Sequence, residues 1–278
     1  MRFIVFGDSK GKENGINTKI LKSLMNQSIN LYPEVEFVVV CGDSVAGSIN
    51  KEIMKNQLNS FKNIISTYYP GKILVPVVGN HDINAKLQDE SYEKVFDDVY
   101  FDLKPSNTLE GYNKTVYYMD FKDTRLIVLN SFHPGEVHKI TGKQLTWFEK
   151  ASSDDIKNKI VIVHSPAFPT GAHLGHCLDM YPESRDKFWN VIDKNNISLV
   201  FSSHEHNYSR RLISIRNNIY QIITGGGGET LRDKYKDKKG VIIPPIATYH
   251  FVIVDIEYEH IKVCSISANG KKLDEFTI

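Results

Sequence analysis

Residues 37–43 read Phe37-Val38-Val39-Val40-Cys41-Gly42-Asp43, a short apolar run that stops abruptly at Gly-Asp. The same arrangement recurs along the chain. Arg2-Phe3-Ile4-Val5-Phe6 runs into Gly7-Asp8, and Ile73 to Val78 into Gly79-Asn80-His81-Asp82. Leu126 to Leu129 leads into Asn130-Ser131, Ile160 to Val163 into His164, and Ser198 to Phe201 into Ser202-Ser203-His204-Glu205-His206. Continuous Val, Ile and Phe runs of this length are the pattern of strands buried on both faces. Amphipathic stretches lie between several of them. Ile20, Leu21, Leu24 and Met25 share one helical face, as do Ile53, Met54, Leu58, Phe61, Ile64 and Ile65. Gln144 to Ala151 and Glu183 to Lys194 are further helix candidates. Strands alternating with helices specify an α/β protein with a parallel or mixed sheet. In such sheets the loops at the strand carboxyl ends gather on one edge, where ligands bind. The Asp, Asn and His residues that terminate the runs all belong to that edge.

Outside this alternation, Ile83 to Asn113 has little periodicity and reads as an insertion over one edge of the sheet. The end of the chain turns β-rich at Ile219 to Ile223, Tyr249 to Ile256 and Ile261 to Ile266. No repeat, low-complexity tract or linker divides residues 1–278, so a single domain is expected. A hydrophobic fraction of 41% with 24% charged residues suits a globular protein with a substantial core. The 34 basic and 33 acidic residues leave a formal charge of +1, which gives no electrostatic reason for a nucleic-acid or membrane partner. The basic cluster Lys234 to Lys239 contains Asp237 and reads as a solvated loop. Cys41, Cys177 and Cys264 are too few and too scattered for a disulfide framework or zinc knuckle. No stretch approaches the ~20 apolar residues of a membrane helix. The apolar run before Asp8 is too short for a secretory leader. The sequence as it stands is therefore expected to be cytoplasmic, or extracytoplasmic if a leader has been removed. Oligomeric state leaves no readable trace.

Six of the strand-end residues form a chemical set: Asp8, Asp43, Asn80, His164, His204 and His206. Two carboxylates, an amide oxygen and three imidazoles suit manganese, iron, zinc or cobalt better than calcium or a thiolate-seeking metal. Six protein ligands are too many for one catalytic ion that must keep open positions. They suit two ions ~3.5–4 Å apart that share a carboxylate and a solvent oxygen. Two divalent ions outweigh two carboxylates and a hydroxide, so the site stays positive and attracts phosphate, and the hydroxide between the metals is the nucleophile. Each residue alone has a plainer reading. An Asp after Gly at a strand end is often an N-cap or turn residue, and a lone His after an apolar run is often a hydrogen-bonded core residue. Taken in this order, always after a strand, the set points to metal chemistry.

With these residues the sequence resembles the calcineurin-like metallophosphoesterases. The resemblance rests on Asp8, on Gly42-Asp43, on Gly79 to Asp82, on His164 and on Ser203-His204-Glu205-His206. Within the family it is similar to the purple-acid-phosphatase branch, through Gly142 to Phe148, Tyr208-Ser209-Arg210 and the strand entering Gly225 to Gly228. The resemblance implies a four-layer αββα sandwich of two mixed sheets flanked by helices. It also implies a metal-dependent hydrolase of phosphate monoesters or diesters with two Mn, Fe or Zn ions. One ion would be held by Asp8, Asp43 and His206, the other by Asp43, Asn80, His164 and His204, with Asp43 bridging. His81 would stabilise the transition state or protonate the leaving oxygen, and Asp82 would orient its imidazole. Lys10, Asn80 and His81 would meet the substrate.

The sequence departs from that pattern in three places. Lys10 stands where many members have a histidine, Ala46 where purple acid phosphatases have a tyrosine ligand, and Ser203 where a glycine is usual. An ammonium with an unperturbed pKa of ~10.4 is a poor ligand. Lys10 and Ala46 therefore favour an alternative reading, a catalytically weakened phosphoesterase fold kept as a binding or scaffolding module. The His81-Asp82 pair argues against it, because a scaffold needs no proton donor beside a metal site. A metal-free nucleotide binder leaves the histidines unexplained, and Gly225 to Gly228 lacks the Lys-Ser/Thr of a phosphate-binding loop, reading instead as a flexible turn. His173, His176, Tyr208 and Arg210 lie in or near the site loops and read as packing or surface residues.

Overall fold

The apolar runs form strands and the amphipathic stretches helices in the computed structural model, which describes residues 1–214, 216–258 and 260–278. The first part of the chain supplies β1 (Arg2–Phe6), β2 (Lys10–Glu13), α1 (Thr18–Leu31), β3 (Phe37–Val40), α2 (Lys51–Tyr68) and β4 (Ile73–Pro76). Next come α3 (Ser91–Val99), β5 (Asn107–Thr108), β6 (Tyr117–Phe121), β7 (Thr124–Leu129), α4 (Gly142–Ser153), β8 (Asn158–Val163), α5 (Pro182–Lys194) and β9 (Leu199–Ser202). The chain ends with β10 (Tyr208–Ser214), β11 (Ile219–Thr224), β12 (Val241–Ile246), β13 (His250–Glu257), β14 (His260–Ser267) and β15 (Lys272–Thr277).

Local chemistry sets the helix ends. Asn17 Oδ1 accepts from Ile20 N at the start of α1, and Asn50 Oδ1 accepts from Glu52 N and Ile53 N at the start of α2. Both helices stop just before an X-Pro step, Tyr32-Pro33 and Tyr69-Pro70, because proline disfavours helical geometry in the residue before it. Leu21, Leu24, Met25 and Ser28 of α1, with Met54, Leu58, Phe61 and Ile65 of α2, make the buried stripes.

The strands form two sheets, ordered β15-β14-β13-β1-β3-β4 and β12-β10-β11-β9-β8-β7-β6-β5. The second has a parallel centre, β7/β8/β9/β11, with antiparallel flanks. In the first the parallel strands β1/β3/β4 form one side, ending at the edge strand β4, and β13, β14 and β15 add antiparallel on the other. Side chains on a strand alternate between faces. Leu126, Val128, Ile160, Ile162, Leu199 and Phe201 accordingly pack in one core with the first sheet. Their neighbours Ile127, Leu129, Val161, Val163 and Val200 pack with Phe148 of α4 and Phe188 and Ile192 of α5. With α1 and α2 on the far face of the first sheet, the result is the four-layer αββα sandwich of two mixed sheets.

The segment 83–113 joins the edge strand of one sheet, β4, to that of the other, β5, and contains a helix that the pattern did not reveal. In α3 the buried face is Tyr92, Phe96 and Val99, interrupted by the wholly buried Glu93, so the apolar periodicity is broken in a nine-residue helix. Glu93 accepts from Asn130 Nδ2 and lies 2.9 Å from His133 Nδ1, which ties α3 to the loop after β7. Among the described residues no helix is long and apolar enough to cross a membrane.

Side chains bridge the sheets directly at β3 and β4. Phe37 of β3 stacks between Phe3 and Phe121 of β6, with ring centroids 4.6 and 4.2 Å apart. Tyr117 Oη of β6 donates to the Pro76 carbonyl of β4 at 2.7 Å. Phe37→Ala is therefore expected to lose ~3–5 kcal/mol in urea unfolding, and a loss under ~1 kcal/mol would mean that Phe37 does not hold the sheets together.

His250, at the start of β13, is wholly buried and donates Nδ1–H to the Thr248 carbonyl, while Nε2 accepts from Thr224 Oγ1. Burial pushes its pKa down to about 4. The unfolded chain therefore binds a proton there between pH ~6.5 and 4 that the folded state refuses, so stability falls as pH falls through that window. Urea unfolding at pH 7 and 4.5 should show an acid loss that is smaller by about 2–3 kcal/mol in His250→Gln than in the wild type, relative to the value of 1.36 kcal/mol per pKa unit. An equal acid loss in both proteins would remove His250 from the account.

Candidate metal centre

The carboxyl ends of the parallel strands of the two sheets meet at one seam, and the six residues expected to bind metal lie along it. Asp8 follows β1, Asp43 follows β3 and Asn80 follows β4 on the first sheet. His164 follows β8, and His204 and His206 follow β9, on the second. Four of the six, Asp8, Asp43, His204 and His206, have positive φ, between 52° and 71°. Non-glycine residues seldom adopt that conformation, and it persists only where surrounding contacts over-determine it.

Those contacts are visible at each position. His164 Nδ1–H donates to the Cys41 carbonyl across the seam at 2.7 Å, which leaves Nε2 as the available donor atom. That nitrogen lies 3.1 Å from His204 Nδ1 and 3.5 Å from Asp43 Oδ1. Asp8 Oδ2 accepts from Ser203 Oγ and His204 N at 2.6 and 2.8 Å. His206 Nδ1–H donates to the Thr230 carbonyl. Asp43 Oδ1 accepts from His81 N at 2.9 Å, and Asp43 Oδ2 accepts from Lys10 Nζ at 2.5 Å.

Protonation follows from burial and neighbours. Burial opposes the Asp43 charge, but Lys10 and His164 hold its carboxyl well below the usual carboxylate range. Burial also opposes charge on His164, yet Asp43 draws it up to about 9. Burial, with the imidazoles of His164 and His173 beside it, keeps His204 well below its ordinary value, in the neutral form that a metal requires. Burial works against the Lys10 ammonium too, but Asp43 and Asp8 keep it charged.

The donor set fits a metal ion in one half of this cluster. Asp43, His164 and His204 each place a ligand atom so that all lie within 4.8 Å of one another. Asn80 Oδ1 is buried without a hydrogen-bond partner, an expensive condition unless a cation answers it, and Asp8 Oδ1 is likewise partnerless but feels the Lys10 charge. In the other half the expected two-ion arrangement meets Lys10, whose ammonium already holds the Asp43 oxygen that a second ion would need.

The expectation for Asp82 is corrected. Its buried carboxylate accepts from Asp43 N, Ser44 N, Ser44 Oγ, Val45 N and Gly79 N, and so binds the loop after β3 to the loop after β4. Burial and the Asp43 carboxylate push it up to about 6, against the pull of Ser44 and Gly79. It is not the orienting partner of His81. That imidazole is set by the Ala46 carbonyl, which accepts from Nδ1–H at 2.9 Å. His81 and Lys10 together border a cavity of about 470 Å³, which also touches Asn17, Ala46, Glu229 and Tyr249.

The glycine run 225–228 is also not the flexible turn that composition suggests. A Cβ on Gly225 would sit 2.4 Å from Asp8 Oδ2, and one on Gly226 would sit 2.1 Å from His250 Nδ1, so close approach demands glycine there. Tyr208 and Arg210 both bind Asp274 and stand apart from the site, and His176 is exposed. His173 does reach the centre, with its ring 4.4 Å from His204 and 5.4 Å from His206. Sequence reasoning passed over Glu205, although the residue lies inside the quoted His-x-His motif. Glu205 accepts from Thr170 N, Thr170 Oγ1, Gly171 N and His173 N, and it thereby anchors the loop that carries His173. Phe132 was passed over too. It packs 5.7 Å from the His164 ring and 5.8 Å from the His204 ring, and no spacing in the sequence marks it.

Comparison with known proteins agrees with this fold. A purple acid phosphatase, PPD1, from yellow lupin (Lupinus luteus) seeds shares the fold with a TM-score of 0.76 at 16% identity, covering 100% of this chain and 53% of that one. The chain thus spans about half the length of the lupin protein. GAP50, described as the anchor in the inner membrane complex of Plasmodium, gives a TM-score of 0.69 at 12% identity, covering 100% of this chain and 88% of that one. A dimetal phosphatase from Danio rerio gives 0.67 at 12% identity, covering 100% of this chain and 98% of that one. No curated protein matches at the sequence level. The family model for calcineurin-like phosphoesterases matches residues 1–208. With most of the chain inside that match, the protein belongs to the calcineurin-like phosphoesterases, a family of metal-dependent phosphoester hydrolases.

Proposed function

We propose that the protein hydrolyses phosphate esters, monoesters or diesters, with a transition metal held at the seam of the two sheets. The observation that carries this reading is the convergence of Asp43, His164 and His204 ligand atoms within 4.8 Å, beside the partnerless buried oxygen of Asn80. Asp43, Asn80, His164 and His204 would hold the ion, and the mixed oxygen and nitrogen set suits Mn, Fe or Zn. The bound metal would supply a Lewis acid for the phosphoryl oxygen and an acidified water as nucleophile.

The remaining groups act on the substrate. Lys10 adds a fixed positive charge at the cavity wall, which favours an anionic phosphate. His81, with Nδ1–H committed to the Ala46 carbonyl, offers Nε2 for a proton delivered to the leaving oxygen, so that an alcohol departs rather than an alkoxide. The leaving group would lie in the cavity between Lys10 and Tyr249.

A scaffolding role is the second reading, and Lys10 on Asp43 is the feature that favours it. GAP50, described as an anchor, has the same fold, so the architecture is compatible with such a role. Hydrolysis of p-nitrophenyl phosphate and its bis-ester, by protein stripped of metal and then given manganese, zinc or iron, separates the two readings. Turnover restored by metal supports the hydrolase, and its absence with every ion, on protein shown to bind metal, supports the scaffold.

Two variants test the roles. Asp43→Asn is expected to abolish turnover and reduce bound metal, and full activity in that variant would rule out the metal assignment. His81→Ala should keep its metal while turnover drops ~10²–10⁴-fold, the range for a lost general acid. Loss of metal from His81→Ala would instead make His81 a ligand.

A further inference from the structure

We infer that the Lys10 ammonium takes the place of one of the two ions that the family pattern implies, so that this chain holds a single metal ion, on Asp43, Asn80, His164 and His204. The inference rests on the metal-dependent reading above and narrows it.

The geometry is specific. Lys10 is only 7% exposed, and its Nζ lies 2.5 Å from Asp43 Oδ2, the oxygen left over once Oδ1 faces His81 N and His164 Nε2. An ion on Oδ2 would have to sit against that ammonium, two like charges sharing one carboxylate oxygen in a buried site. The backbone that carries the lysine is fixed, and its side chain is held at Asp43 by the ion pair. Lys10 N donates to the Asp43 carbonyl, Asn17 N donates to the Ser9 carbonyl, and Lys10 pairs with Ile16 across the turn after β2. Asn17 Nδ2 also donates to the Gly228 carbonyl, which fastens this hairpin to the opposite wall of the cavity.

The other half needs nothing from Lys10's side. Asp43 Oδ1, Asn80 Oδ1, His164 Nε2 and His204 Nδ1 make a complete four-donor set for one ion, with further positions left for solvent or substrate. Asp8 has one oxygen committed to Ser203 Oγ and His204 N. It thereby serves as a brace for His204 and a counter-charge to Lys10. A phosphate bound in this centre would meet one metal and one ammonium, the second giving hydrogen bonds rather than an acidified water.

The test is metal stoichiometry. Wild-type protein is stripped, loaded with excess manganese(II), dialysed and analysed for metal per chain, with electron paramagnetic resonance to separate an isolated ion from a spin-coupled pair. One ion with an isolated-ion spectrum is expected. Lys10→His and Lys10→Ala should take up a second ion and show coupling. His206→Ala should keep the single ion, because His206 belongs to the lysine side. Two ions in the wild type, one ion in both Lys10 variants, or loss of the ion in His206→Ala would each overturn the inference while leaving a metal-dependent protein. No ion in any of the proteins would overturn the metal reading itself, and this inference with it.

Discussion

The hydrogen bond from His164 Nδ1 to the Cys41 carbonyl joins the end of β8 in one sheet to the end of β3 in the other. The bonds from Ser203 Oγ and His204 N to Asp8 do the same between β9 and β1. Without these crossings the parallel strands of the two sheets would present separate rows of polar residues. Their shortness brings the backbones together: a Cβ on Gly42 would sit 2.5 Å from His164 Nδ1. Asp8 and His204, which the second crossing joins, have left-handed backbone conformations that cost about 1–3 kcal/mol each. Buried hydrogen bonds to charged groups, worth roughly 1.5–3 kcal/mol apiece, are of the size needed to offset that strain.

Asp43 lies at the electrostatic centre of the seam. It receives a backbone N–H from His81, an ammonium from Lys10 and the imidazole of His164, and its own backbone N–H is fastened by Asp82. Asp82 gathers five donors from residues 43–45 and 79 and so joins the loops after β3 and β4. A carboxylate fixed this way needs little reorganisation when charge develops nearby, which is what electrostatic catalysis requires. The removal of Asp82 would act on the centre through Asp43, not through His81.

The loops that finish the site are tied down by buried charge. Glu205 holds residues 170–173, and Arg211 pairs with Asp237 while Lys236 N and Asp237 N donate to the Thr170 carbonyl. The stretch around Lys234 to Lys239, read from composition as a solvated loop, thus packs by its backbone against the loop that carries His173. Glycines at 225 and 226 let the end of β11 slide under Asp8 and against His250.

How much of this was legible follows from the range of each interaction. Strand and helix patterns are local, and burial on both faces is written along each continuous apolar run. The α/β class, α1, α2, α4, α5 and the candidate ligands at strand ends were therefore readable from residues alone. Segment 83–113 was not, because buried Glu93 breaks the helical pattern of α3 and its partners Asn130 and His133 lie some forty residues on. The family resemblance implied that Asp82 orients His81. Only the fold showed that Asp82 turns inward to five donors while Ala46 supplies the carbonyl that His81 needs. Lys10 was recognisable as an odd residue, but its meeting with Asp43 is a contact across 33 positions that exists only once β1 and β3 lie side by side. The sequence by itself determined which groups can do chemistry, since residue type and local period are properties of short stretches. Tertiary structure alone decided which of them share an oxygen, a carbonyl or a cavity, because those pairings depend on how two sheets face each other.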